Sequence, residues 1–403
     1  MFLKSILVVI ILSLSSNLFA AEDLKSALKE GKASGQFRTY FFQRDYDTRN
    51  TREDIATGGM VYYNSGELYG ISLGLAFYTG QGMGLNDDDK DVYGLLDRGA
   101  NGDHENFTVL GEAYIKAAFS DTTLKLGRQE LELPWVNTDD NRLTPQSTNA
   151  YTITNNSINV LELLFSYITR MRGKASESFV SMTEYADIPA DKHVAAFGLT
   201  YKGISDLEIQ AWNFHAEDFI NNIYMKAIYS GETYKGLAWH LAGQYLKQDD
   251  TGDSLGGMVD TYMYGLEAGI KKHGLSFSLA VSDIGDNDIF YPWGHDFMVS
   301  AIVNDLYQAE GKGWMATLAY DFAEVGIPGL TSKIVYADMD TPDSGRNAST
   351  DVTEKDITLT YKFKGLLEGL GIRTRYGIIG QDESIGGEDY NDLRIQLTYD
   401  FEI

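Results

Sequence analysis

Arg373 and Arg375 alternate with Ile372, Thr374 and Tyr376, so an extended backbone puts both guanidiniums on one face and the bulkier groups on the other. Two fixed positive charges on one face attract carboxylates and phosphates. Arg394, Lys362, Arg38, Lys116 and Lys125 hold comparable polar positions in other alternating segments. Together they form a candidate row that draws anions in and lets them pass between shallow sites. Arg128 is the weakest member of the row, because strict alternation places it on the face of Leu124 and Leu126. A second reading pairs these cations with carboxylates such as Glu112, Asp321 and Asp400, which would make them wall stiffeners.

Catalytic chemistry finds little support. The six histidines, His104, His193, His215, His240, His273 and His295, lack the i, i+3 or i, i+4 spacing of a metal site. There is no cysteine, hence no disulfide framework and no thiolate nucleophile or ligand. No Gly-Xaa-Ser-Xaa-Gly elbow or phosphate loop occurs. Asp87-Asp88-Asp89 lacks the spaced ligands and closing glutamate of a calcium loop, so it reads as a plain acidic loop. No cofactor is expected. The formal net charge of -25 argues against nucleic acid, whose binding needs clustered basic residues.

The elements that position the basic residues are strands. Among 403 residues there are 26 Tyr, 19 Phe and 41 Gly but only 6 Pro, a composition suited to strands joined by turns. Residues 393–403 show the pattern best: Leu393, Ile395, Leu397, Tyr399, Phe401 and Ile403 alternate with Arg394, Gln396, Thr398, Asp400 and Glu402. About eighteen such segments follow one another, including one at 178–185. Residues 132–158 and 285–311 read as long loops without strand period, and such loops are usually functional. All six prolines fall between segments, where the missing N–H breaks no ladder.

Residues 1–20, with Lys4, the apolar run 6–14 and Ala20-Ala21, read as a secretory signal. Residues 21–34 form a short N-terminal segment, and 35–403 a single domain. Short turns alternate with long loops, and aromatics sit at strand ends, as in Tyr361-Lys362-Phe363 and Tyr399-Asp400-Phe401. Both features point to an all-β, transmembrane antiparallel β-barrel rather than to a soluble propeller or β-helix.

Three stretches resemble the OprD family of outer-membrane porins. They are Arg38-Thr39-Tyr40-Phe41-Phe42-Gln43-Arg44-Asp45, Leu124-Lys125-Leu126-Gly127-Arg128-Gln129 leading to Asp139-Asp140-Asn141-Arg142-Leu143-Thr144-Pro145-Gln146, and Gly369-Leu370-Gly371-Ile372-Arg373-Thr374-Arg375-Tyr376. The resemblance implies eighteen strands, an inward-folded constriction loop at 132–158 and a ladder of basic side chains guiding carboxylate-bearing solutes. It adds Asp139, Asp140 and Arg142 to the candidate pore lining. It also implies passive diffusion across the outer membrane of a Gram-negative bacterium, with lipid and small solutes as partners and a monomer or loose trimer as the unit. The competing function is an adhesin or structural barrel with a plugged lumen.

Overall fold

The computed structural model describes residues 21–86, 94–99 and 102–403. The expected signal and Asp87-Asp88-Asp89 lie outside the described residues. A short helix, α1 (Leu24–Lys29), precedes the first strand. The long strands are β1 (Lys32–Tyr46), β2 (Arg52–Asn64), β3 (Ile71–Gln81), β4 (Phe107–Phe119), β5 (Thr122–Gln129) and β6 (Ser147–Ile158). Next come β7 (Leu161–Arg172), helix α2 (Met182–Tyr185), β8 (Val194–Ile204), β9 (Leu207–Ala216), β10 (Ile220–Glu232), β11 (Ala238–Asp250) and β12 (Asp260–Lys272). The last are β13 (Leu275–Ile284), β14 (Lys312–Asp321), β15 (Leu330–Asp340), β16 (Val352–Lys362), β17 (Leu370–Gln381) and β18 (Tyr390–Glu402).

Each strand pairs antiparallel with its sequence neighbours, and β1 also pairs with β18, where Arg38 faces Thr398. Eighteen strands thus close into a barrel, which removes the open sheet edge. The barrel is inside out relative to a soluble protein. In β18 Arg394 and Gln396 are 4% and 5% exposed, whereas Ile395 and Leu397 are 38% and 42% exposed. Leu73, Leu75, Phe77, Leu266, Phe277, Leu279, Ile334 and Leu359 continue that exposed apolar surface around the outside. A band of this extent is stable only against lipid.

At one end the strands turn tightly through Ser120-Asp121, Ser205-Asp206 and His273-Gly274. His273 and Gly274 both have positive φ, at 48° and 74°, which gives the turn the twist that a hairpin needs. The aromatic pairs Phe37–Phe401, Tyr229–Trp239 and Tyr361–Phe363 lie at this end, as an interfacial girdle does. The longest connections, 130–146 and 285–311 among them, lie at the other end, and short turns face the periplasm in barrels of this kind.

Two sequence expectations need correction. Residues 147–158 are not loop but strand β6, so the irregular segment covers only 130–146. Its inward side chains, Thr148, Ala150 and Thr152, are small, and only Tyr151 and Ile153 mark the outer face, so the alternation has little amplitude. Conversely, 178–185 is not a full strand. Val180–Ser181 makes a brief pairing with β7, and Ser181 then caps α2 by accepting from the Glu184 N–H. One strand missed and one wrongly assigned leave the expected total unchanged.

Candidate functional site

The register of the closing strands assembles the basic side chains. Lys333 on β15 faces Thr358, Thr358 faces Arg375, Arg375 faces Arg394, and Arg394 faces Phe42 on β1. These positions form one row across five strands. In each strand they share the inward parity that the outer Ile334, Tyr376 and Ile395 leave to them. One step toward the turns, Arg373 faces Gln396, and Gln396 faces Tyr40. Arg38 faces Thr398 one step further.

The cations differ in how firmly they are held. Arg394 Nε donates to Asp392 at 2.6 Å, and its guanidinium lies 4.4 Å from the Phe42 ring centre. Arg142 lies 4.6 Å from the same ring and donates to Asn141 Oδ1 at 3.0 Å. Arg373 donates to Gln396, and Arg38 is forked onto Asp140. Among the described residues, Arg375 Nε is buried without a hydrogen-bond acceptor. Asp356 of β16 and Asp392 of β18 share the inward parity of that row.

Two segments from the long-loop end reach inward-facing wall residues. Within 130–146, Trp135 packs edge-on against Tyr224 of β10, and Asp140 bonds to Arg38 on β1. Within 285–311, Asp296 binds Lys226 of β10, while Glu354 of β16 accepts from the backbone N–H groups of Val303 and Asn304 at 2.8 and 3.0 Å. The two segments also grip each other. Trp135 meets Phe297 edge-on at 5.4 Å, and Asn137 donates to the His295 carbonyl at 3.2 Å. Gly294 has φ 125°, and a Cβ there would fall 2.4 Å from Asn137 Oδ1, so this crossing requires glycine. Trp293 is buried and donates to the Met182 carbonyl at 2.8 Å, which brings α2 into the same apolar core.

This core takes inward residues from strands β6 to β18, among them Ala150, Leu246, Val352 and Tyr390. Beside it is a cavity of about 770 Å³ lined by Lys333, Arg375 and Arg394 of the wall, by Asp139 of 130–146 and Asp305 of 285–311, and by Lys174, which follows β7. Lys174 binds Asp139 and donates to Asn141 Oδ1 at 3.1 Å. Burial lowers the Lys174 ammonium below the usual lysine range, with Asp139 opposing the shift. Burial likewise raises the Asp305 carboxyl, against His295 at 3.3 Å and the Ser300 hydroxyl at 2.5 Å.

Of the residues singled out in the sequence, Arg375, Arg394 and Asp139 line this cavity, with Arg38, Asp140, Arg142 and Arg373 beside or below it. Lys116 and Lys125 do not join the row. They face each other across β4 and β5, and Lys125 sits 3.5 Å from Glu112 and 3.9 Å from the Tyr114 ring centre. Lys125 is thus paired with a wall carboxylate, as the second reading expects of it. Lys362 ends β16 at the turns. Arg128 lies over the Phe179 ring at 4.4 Å and donates to the Leu110 carbonyl at 3.0 Å. Lys333, Lys174 and Asp305 were not identified from sequence. Lys333 was within reach, since the parity of its neighbour Ile334 places it on the inner face.

Residues 27–403 match the outer membrane porin family OprD. The chain belongs to the OprD family. Porin D of Pseudomonas aeruginosa is 22% identical over 414 aligned residues, which cover 94% of this chain and 93% of that protein. The crystal structure of OccK9 (OpdG) from the same organism matches with a TM-score of 0.86 at 21% identity, covering 94% of this chain and 100% of the other. That of OpdK with vanillate matches at 0.83 and 18% identity, covering 93% and 100%. The protein is thus a porin of the Gram-negative outer membrane, set in lipid and passing small solutes. Its family works by diffusion through a channel rather than by catalysis.

Proposed function

We propose that this porin favours small hydrophilic solutes bearing a carboxylate, such as amino acids and organic acids. The observation that carries the reading is the Lys333–Arg375–Arg394 row on one cavity wall, with Arg373 and Arg38 continuing it toward the turns. A carboxylate entering the cavity meets the guanidiniums of Arg375 and Arg394 and the ammonium of Lys333, donors suited to its two oxygens. Several weak sites in series suit passage better than one strong site, because the solute must also leave. The OpdK relative was crystallised with vanillate, itself a carboxylate at neutral pH.

Residues 130–146 and 285–311 narrow the passage in this reading, and Asp139, Asp140 and Arg142 set its edge. The whole path is built within one chain, so it works in a monomer or in each unit of a loose trimer. Liposome swelling tests the preference. Organic acids and amino acids should enter faster than neutral sugars of matched size, and equal rates would remove the preference.

The competing reading is a plugged structural barrel, favoured by the apolar packing of Trp135, Trp293 and Phe297 inside the wall. Steady ion current through folded, reconstituted protein excludes it.

A further inference from the structure

Helix α1 leaves two leucines uncovered beside the lipid-facing band. Successive helical residues are rotated by roughly 100°, so Leu24 and Leu28 form one stripe, with Ala27 on one side of it and Lys25 and Lys29 on the other. Ala27 is buried against the barrel, whereas Leu24 and Leu28 are 59% and 44% exposed. A helix this short does not persist alone in water. The barrel holds its backbone: Gly66 N–H donates to the Ala27 carbonyl at 2.8 Å, Ala21 N–H to the Glu67 carbonyl at 2.8 Å, and the Tyr63 hydroxyl to the Leu28 carbonyl. Asp23 caps the first turn by accepting from Ser26 N–H at 2.7 Å.

The position of the helix identifies what covers it. Tyr63 has the outward parity of its exposed neighbour Val61 on β2, and the following turn leads to exposed Tyr69, Ile71 and Leu73. The leucine stripe therefore continues the lipid-facing surface at the periplasmic end. We infer that α1 is an interfacial foot: Leu24 and Leu28 enter the inner leaflet of the outer membrane, and Lys25 and Lys29 rest on anionic phospholipid headgroups. Apolar side chains below and lysines reaching up to the headgroups match the known pattern of interfacial helices. Glu22 and Glu30 flank the helix, and Asp23 is turned back onto its cap, so the lysines supply the charge next to the stripe.

The absence of cysteine allows a clean test. Leu28→Cys carries a nitroxide in the full-length porin, reconstituted in vesicles of phosphatidylethanolamine with a minority of phosphatidylglycerol. Leu266→Cys on the outer belt and Met258→Cys in an exposed loop give the lipid and water references. Dissolved oxygen should relax the Leu28 label several-fold more than a water-soluble nickel chelate does, as at position 266. Relaxation dominated by nickel, as at 258, would overturn the inference, and so would shielding from both agents, which marks a protein contact. Lys25→Glu with Lys29→Glu should lower the oxygen-to-nickel ratio several-fold in these vesicles. No change would overturn the headgroup contact.

Discussion

Arg38 of β1 and Asp140 of the 130–146 segment are joined by two parallel hydrogen bonds, at 2.5 and 2.7 Å, across 102 residues of chain. Arg38 also donates to the Arg142 carbonyl at 2.8 Å, so one guanidinium fastens the segment at two of its residues. A planar fork fixes orientation as well as distance, which a lysine at position 38 would not do. The segment is therefore held where it borders the basic wall.

Asp140→Asn should loosen that edge while leaving the barrel closed. The Arg38 side chain is 7% exposed and Asp140 37% exposed, so water screens part of the interaction. A loss of ~1 to 3 kcal/mol is expected locally, toward the lower end because of that screening. Single-channel recordings should show larger current fluctuations than the parent. An equally quiet trace would mean that the pair does not fix the segment.

Trp293→Ala should widen the passage. Removing a buried indole leaves a cavity and costs about 3 to 5 kcal/mol, and here it also orphans the Met182 carbonyl. The wall hydrogen bonds do not run through this core, so the barrel should still fold. Conductance should rise measurably. Unchanged conductance together with normal folding would show that the two inward segments do not limit flow.

Selectivity should vary with pH in a defined direction. Burial raises Asp305, so on acidification it takes up a proton before an ordinary aspartate does, and the cavity becomes more positive. Burial lowers Lys174, so on alkalinisation it loses its proton before an ordinary lysine does, and positive charge is lost. Anion preference should thus rise toward acid and fall toward alkali. Asp305→Asn should remove much of the acid limb and Lys174→Gln much of the alkaline limb, read as reversal potential against pH.

The sequence displayed the barrel more fully than the site. Residues 393–403 reveal β18 because lipid outside and water inside impose opposite chemistry on alternate positions. Strand β6 escaped notice because small polar residues such as Thr148 and Thr152 meet the interior there, and few apolar residues mark the outside. Arg373 and Arg375 could be placed on one face from local spacing alone. Their partners could not, because Lys333, Arg375 and Arg394 become neighbours only through strand register, which no single segment encodes. Lys125 shows the same limit from the other side: its parity and Glu112 as a candidate partner were legible, but which of the two readings the register would favour was not.

The central claim is that basic residues of the closing strands guide anions. Reversal potential across a planar bilayer under a salt gradient tests it most directly, comparing the parent with Arg373→Ala plus Arg375→Ala and with Lys355→Ala, a control on the outer face. The double variant should shift toward cation preference while Lys355→Ala stays with the parent. Identical reversal potentials in all three would contradict the account and leave Arg373 and Arg375 as structural members of the wall.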